Sequence, residues 1–306
     1  HPVGVGDRAA DDAFASVVLG HRRLRDQSAQ GRRSPVPDGE GAGVAGPLHA
    51  GRVAEDVIED RDTARRVIKR VPWGGVLVVA PWNYPYMTAI NTIAPALIAG
   101  NTVVLKHATQ TLLVGEHLAE AFHAAGVPED VFQNVFLDHE TTSALIADRA
   151  FDLVNFTGSV GGGRAMERAA AGTFTAVNTE LGGKDPGYVR ADADIDAAVA
   201  GLIDGAMFNS GQCCCGIERI YVAEPLYDAF VEKAVAITRE YKLGNPLDEA
   251  TTIGPMANVR FAREVRAQIA EAVEAGAKAH IETFAEDDGA AYLTPQILTN
   301  VDHSMR

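Results

Sequence analysis

The chain has 306 residues, 47% hydrophobic and 22% charged, a globular composition with room for one large or two ordinary domains. A net charge of −14 argues against a nucleic-acid partner and against docking on an anionic membrane. The three cysteines are adjacent, so they form neither a long-range disulfide framework nor a paired zinc site, and they point to a reducing, cytoplasmic compartment. No apolar run reaches the roughly 18 residues of a membrane span, and no signal segment opens the chain.

Residues 1–53 hold seven arginines, six acids and no lysine, with Gly and Pro breakers crowding 28–51. A short helix is expected only over 11–25, and the rest of this segment is expected to be poorly ordered. Residues 54–72 read as two exposed strands, 57–60 and 64–69, folded around Arg61-Asp62-Thr63. From 73 to 181 apolar strand signals at 76–80, 102–106, 134–137 and 153–156 alternate with helical stretches, including 88–98 and 112–125. That alternation predicts an α/β fold with a parallel, Rossmann-like sheet covered on both faces. A second alternating run over 182–306 predicts helices at 195–208, 226–241 and 259–275 and a strand at 220–222, a partial α/β catalytic domain.

Chemistry-bearing residues cluster at predicted strand ends and glycine turns. Phe208-Asn209-Ser210-Gly211-Gln212-Cys213-Cys214-Cys215-Gly216 places thiols in a close-packed turn, where a cysteine is either an inert apolar filler or a nucleophile. If this turn opens a helix, backbone N–H groups lower the thiol pKa. Glu180, before Leu181-Gly182-Gly183-Lys184, is either a solvated acid at a strand end or a base for water. Asn83 in Pro81-Trp82-Asn83-Tyr84-Pro85 is either a plain turn residue or an amide donor to an oxyanion. Lys106 reads as a surface lysine or as a donor to a nucleotide ribose. Phe156-Thr157-Gly158-Ser159, running into Gly161-Gly162-Gly163, is a strand–glycine–helix junction able to hold pyrophosphate.

Together, Pro-Trp-Asn, Val-Leu-Lys, Phe-Thr-Gly-Ser, Glu-Leu-Gly-Gly-Lys and Gly-Gln-x-Cys stand in one order, and from about Ala54 to Arg306 the chain resembles the NAD(P)-dependent aldehyde dehydrogenase superfamily. The resemblance implies Cys214 as the nucleophile that attacks an aldehyde, with the Asn83 side chain and the Cys214 backbone N–H holding the oxyanion. The resemblance likewise implies that Glu180 activates the water that releases the acid. It further implies NAD or NADP as cofactor, with Lys106 on the adenosine ribose and Trp82 and Ser159 near the pyrophosphate. Gly158 and Gly163 let the helix start approach closely, and Leu181 is a further cofactor contact. No metal is implied. The strands of 54–72 resemble oligomerisation strands, implying a homodimer or homotetramer of the full-length form.

Three departures qualify the resemblance. Thr109 stands where the family often carries a glutamate against the ribose 2′-hydroxyl, which favours tolerance of NADP. Residues 1–53 do not resemble the family's N-terminal helices. The family's later Glu-Glu-x-Phe-Gly-Pro segment is absent, so the alternative expectation is an inactive fragment that at most binds nucleotide. Transfer of the acyl group to a thiol such as coenzyme A is disfavoured by Glu180, a base for water.

Overall fold

The computed structural model describes residues 16–20, 56–282 and 289–305. The chain divides into two units, Gln27–Glu180 and Leu181–Arg306, the second also taking in the N-terminal strand β1 (Ser16–Gly20).

Strand β4 (Gly75–Ala80) frames the first unit. Its run Val76-Leu77-Val78-Val79-Ala80 is buried throughout, which a strand accepts only when both faces are covered. Val76, Val78 and Ala80 share a core with Ala89, Ile93 and Leu118, whereas Leu77 and Val79 share one with Ile146, Phe156 and Met166. The two-residue period of the strand thus feeds two helical layers. One layer is α1 (Pro85–Ile98) and α2 (Leu112–Ala124); the other is α3 (His139–Ala147) and α4 (Val160–Ala170).

The sheet adds β5 (Thr102–His107), β6 (Phe132–Val135), β7 (Leu153–Gly158) and β8 (Ala176–Leu181), in the order β6-β5-β4-β7-β8. β4 runs parallel to both β5 and β7, and β5 parallel to β6. The winding goes outward through β5 and β6 and then returns to β4's other side. The strand order therefore reverses between β4 and β7, where doubly wound sheets bind ligands beyond the carboxyl ends. Two boundaries differ from the sequence expectation. Helix α1 begins at Pro85, not residue 88, because a proline suits a first helical turn that lacks N–H partners. Strand β6 covers 132–135 rather than 134–137, because Phe132 is the buried anchor and Phe136 is exposed.

Strands β2 (Asp56–Arg61) and β3 (Ala64–Ile68) form an antiparallel ribbon, as the sequence predicts. Arg61 and Arg66 both pair with Glu59, and Arg70 with Asp56. Val57, Ile58 and Ile68 remain exposed.

In the second unit the sheet order is β11-β12-β1-β10-β9, built from β9 (Asp185–Val189), β10 (Ile217–Val222), β11 (Lys278–Ala279) and β12 (Gln296–Thr299) around β1. All neighbours run parallel except β11 with β12. Helices α5 (Ile195–Met207) and α6 (Tyr227–Glu240) supply Ile203, Met207 and Phe230 to a core shared with Ile220 and Ile297. A third helix, α7 (Val259–Glu274), buries Phe261, Val265 and Ile269. β1 corrects the expected helix over 11–25. Its Ser16-Val17-Val18-Leu19-Gly20 backbone pairs with β10 on one side and β12 on the other, and β-branched residues suit that slot. The expectation of poor order for the rest of 1–53 lies outside the described residues. Among the described residues no helix is long and apolar enough to cross a membrane.

Candidate active site

Three neighbouring strands of the first unit deliver predicted residues to one rim. β4 ends at Ala80 and leads into Pro81-Trp82-Asn83, while its partners across β5 are Lys106 opposite Val79 and His107 opposite Ala80. The Asn83 Oδ1 accepts the Tyr84 backbone N–H at 3.1 Å. A backbone N–H can only donate, so this fixes the amide orientation and makes Nδ2 the donor end.

Lys106 is not the snorkelling surface lysine of the simpler expectation. It is only 4% exposed, and desolvation pushes its ammonium below the usual lysine range. Holding a charge there costs free energy unless an acceptor arrives. Thr109 is exposed at the start of a short 3₁₀ turn, Thr109–Thr111, where its hydroxyl donates to Gln110 Oε1 at 3.2 Å.

β7 ends in the predicted strand–glycine–helix junction. Ser159 caps α4, its Oγ accepting the Gly162 N–H at 3.1 Å, and Gly163 donates its N–H to the Ser159 carbonyl. The glycines divide the work. A Cβ on Gly158 would lie 2.7 Å from the Phe156 ring, and one on Gly162 would lie 2.4 Å from it, so both are needed to seat Phe156. A Cβ on Gly161 would meet nothing closer than 4.0 Å, so its backbone is approachable. This helix start and the buried lysine fit a phosphate-bearing nucleotide. Gly162 was missed as an individual site; its signal was the glycine triplet itself.

Glu180 is the penultimate residue of β8 and is exposed, with Leu181 ending the strand. Gly183, three residues further on, donates its backbone N–H to the Cys214 carbonyl at 2.9 Å.

The cysteine turn does not open a helix. It follows α5 through a short turn, Phe208–Gly211, and leads into β10. Asn209 (φ 51°), Ser210 (φ 57°) and Gly211 (φ 74°) all take the left-handed region, a run that costs free energy for the two non-glycines. Neighbours hold it in place. Ser210 Oγ donates to the Gly254 carbonyl at 2.8 Å; buried Gln212 accepts the Ala257 N–H at 2.7 Å and donates to the Asn209 carbonyl at 3.0 Å. Cys213 turns back to the Phe208 carbonyl, whereas Cys214 and Cys215 are exposed. With no helix start at the turn, the condition for a lowered thiol pKa is not met, and the shift runs the other way. Although Cys214 is exposed at the surface, partial desolvation of its sulfur pushes the thiol up, and Cys215 adds to this. Its own backbone N–H offsets this only in part. Gln212 was overlooked as a pin because its partner lies 45 residues downstream.

The chain is thus an α/β protein with a cofactor-type sheet rim in one unit and, in the other, an exposed thiol on a constrained turn. The family model described as the aldehyde dehydrogenase family matches residues 46–306, and the chain belongs to that family. An aldehyde dehydrogenase of Paenarthrobacter nicotinovorans is 37% identical over 235 residues, covering 77% of this chain and 51% of its own length. A succinate-semialdehyde dehydrogenase [NADP(+)] of Mycolicibacterium paratuberculosis is 33% identical over 259 residues, covering 85% of this chain and 53% of its own. The solved succinate-semialdehyde dehydrogenase from Burkholderia pseudomallei superposes with a TM-score of 0.79 at 33% identity, covering 83% of this chain and 53% of that one. The chain spans about half the length of the curated relatives it matches.

Proposed function

We propose that the chain carries the cofactor site and nucleophile of an enzyme that oxidises an aldehyde to a carboxylic acid with NADP or NAD. The observation that carries this reading is the cysteine turn: an exposed Cys214 thiol on a strained, pinned loop, its carbonyl bonded by the glycine segment that follows Glu180. In the reading, Cys214 loses its proton to solvent and the thiolate attacks the aldehyde carbon, with Asn83 Nδ2 and the Cys214 backbone N–H donating to the oxyanion. A bound nicotinamide would accept the hydride from C1. Glu180 then takes a proton from water, which attacks the Cys214 thioester and frees the acid.

Lys106, Trp82, Ser159 and the Gly161 backbone would hold the nucleotide, with Gly158, Gly163, Leu181 and Thr109 around it. Thr109 brings no carboxylate against a ribose 2′-phosphate, which favours NADP, the cofactor in the names of several relatives. Succinate semialdehyde is the first substrate to try, since those relatives carry its name. The exposed apolar residues of the β2–β3 ribbon support a homo-oligomer through that ribbon, and the paucity of cysteine supports a reducing, cytoplasmic setting.

The test is NADPH production by the full chain with an aldehyde panel. Turnover lost in Cys214→Ala supports the reading. Nucleotide binding with no turnover of any aldehyde would instead favour a nucleotide-binding fragment.

A further inference from the structure

His107 ends β5 beside Lys106 and is only 1% exposed. Every polar atom of its ring is used. The Nδ1 atom receives the Ala108 backbone N–H at 3.0 Å and lies 2.9 Å from Thr111 Oγ1. Nε2 lies 3.1 Å from the Pro85 carbonyl oxygen. The backbone N–H can only donate and the carbonyl can only accept, so the tautomer is determined. Nδ1 is the bare acceptor, taking both the Ala108 N–H and the Thr111 O–H, and Nε2–H donates to Pro85. Thr111 stands at the N-cap of α2 but makes no capping bond there with its side chain. Its hydroxyl is committed to the imidazole instead, against the usual preference of an N-cap threonine.

These contacts join two turns that carry different parts of the proposed chemistry. Pro85 closes the Pro81-Trp82-Asn83-Tyr84-Pro85 turn and opens α1. Ala108 and Thr111 bracket the turn that follows Lys106 and contains Thr109. We infer that His107 is a positioning residue: a neutral clamp, bonded through both ring nitrogens, that fixes the Asn83 turn relative to the Lys106–Thr109 turn, and so sets the oxyanion donor against the nucleotide ribose. The inference rests on the proposed function. It goes further in naming a residue that would touch neither substrate nor cofactor. Burial holds the imidazole below its ordinary range, and the neighbouring Lys106 charge adds to this, although the Pro85 bond opposes it. A protonated ring would turn Nδ1–H against the Ala108 N–H and break the half of the clamp that holds Ala108 and Thr111.

The two halves can be cut separately. Thr111→Val removes the hydroxyl from Nδ1, and Thr111→Ser restores it. His107→Asn keeps a side-chain acceptor near Ala108 and Thr111 but is too short to reach Pro85. Imidazole nitrogen NMR of the full chain should first show an Nε2–H tautomer that stays neutral below about pH 6.5. NADPH binding, followed by nucleotide fluorescence without substrate, should weaken about three- to tenfold in Thr111→Val and recover in Thr111→Ser. His107→Asn should bind NADPH nearly as before but lower kcat on the order of tenfold, because the oxyanion donor drifts. An Nδ1–H tautomer, or variants that lose only thermal stability while binding and kcat stay put, overturns the clamp and leaves the proposed function standing. If the unsubstituted chain binds no NADPH at all, both fall together.

Discussion

Cys214 combines exposure with a raised pKa. At neutral pH its thiol is therefore mostly protonated in the nucleotide-free protein, and the thiolate becomes available only as pH rises. Alkylation of Cys214 by iodoacetamide, read by mass spectrometry of the 208–216 peptide, should be slow at pH 7 and still climbing above about pH 8.5, where an ordinary cysteine is half ionised. A rate that levels off by pH 7 would contradict the desolvation described for the sulfur. For Glu180, replacement by Gln leaves thiol attack and hydride loss intact but removes the base for water. Rapid mixing should then show a burst of reduced cofactor followed by a steady rate lower by two orders of magnitude or so. An unchanged steady rate would remove Glu180 from the mechanism. The motif residues themselves were legible, because glycine-flanked polar residues at strand ends have a mechanical reason to be there. The direction of the thiol's pKa was not. It depends on how far the sulfur is desolvated and on how close Cys215 comes, which only the folded turn fixes. His107 and Gln212 were invisible for a different reason: each completes its role with one hydrogen bond, to Pro85 and to Ala257, that only the fold brings within reach.

The start of α4 shows how one element can be tested by paired substitutions. Gly162→Ala places a methyl 2.4 Å from the tip of the buried Phe156 ring, so the ring must shift and the unit should lose about 1–3 kcal/mol of stability. Gly161→Ala meets only Ser159 Oγ, at 4.0 Å, in the same helix turn and should be neutral or stabilising by up to about 1 kcal/mol. Urea unfolding of the two variants side by side checks the order. The same Gly161 methyl should weaken NADPH binding if the backbone there receives a phosphate. Long periodic elements such as α2, α6 and β4 could be read from apolar spacing alone, because their cores are local in pattern even where contacts are not. β1 could not. Five residues with Val-Val-Leu at the centre suit either a strand or a short helix, and only the gap between β10 and β12 decides.

Across the whole molecule, the β2–β3 ribbon leaves both edges and several apolar side chains without cover among the described residues. Ile58→Lys combined with Ile68→Lys should shift the chain toward a smaller species in sedimentation velocity if the ribbon joins copies, with little change in circular dichroism. An unaltered sedimentation coefficient would place the interface elsewhere. The cysteine turn has a consequence for biosynthesis. Its left-handed run is held by Gly254 and Ala257, residues translated well after the thiols. On the ribosome, then, a nascent chain exposes three slack, ordinary cysteines until that later loop emerges and docks. The turn is thus completed late, and until residues 254–257 have emerged and docked none of the three thiols has the desolvation that restrains Cys214.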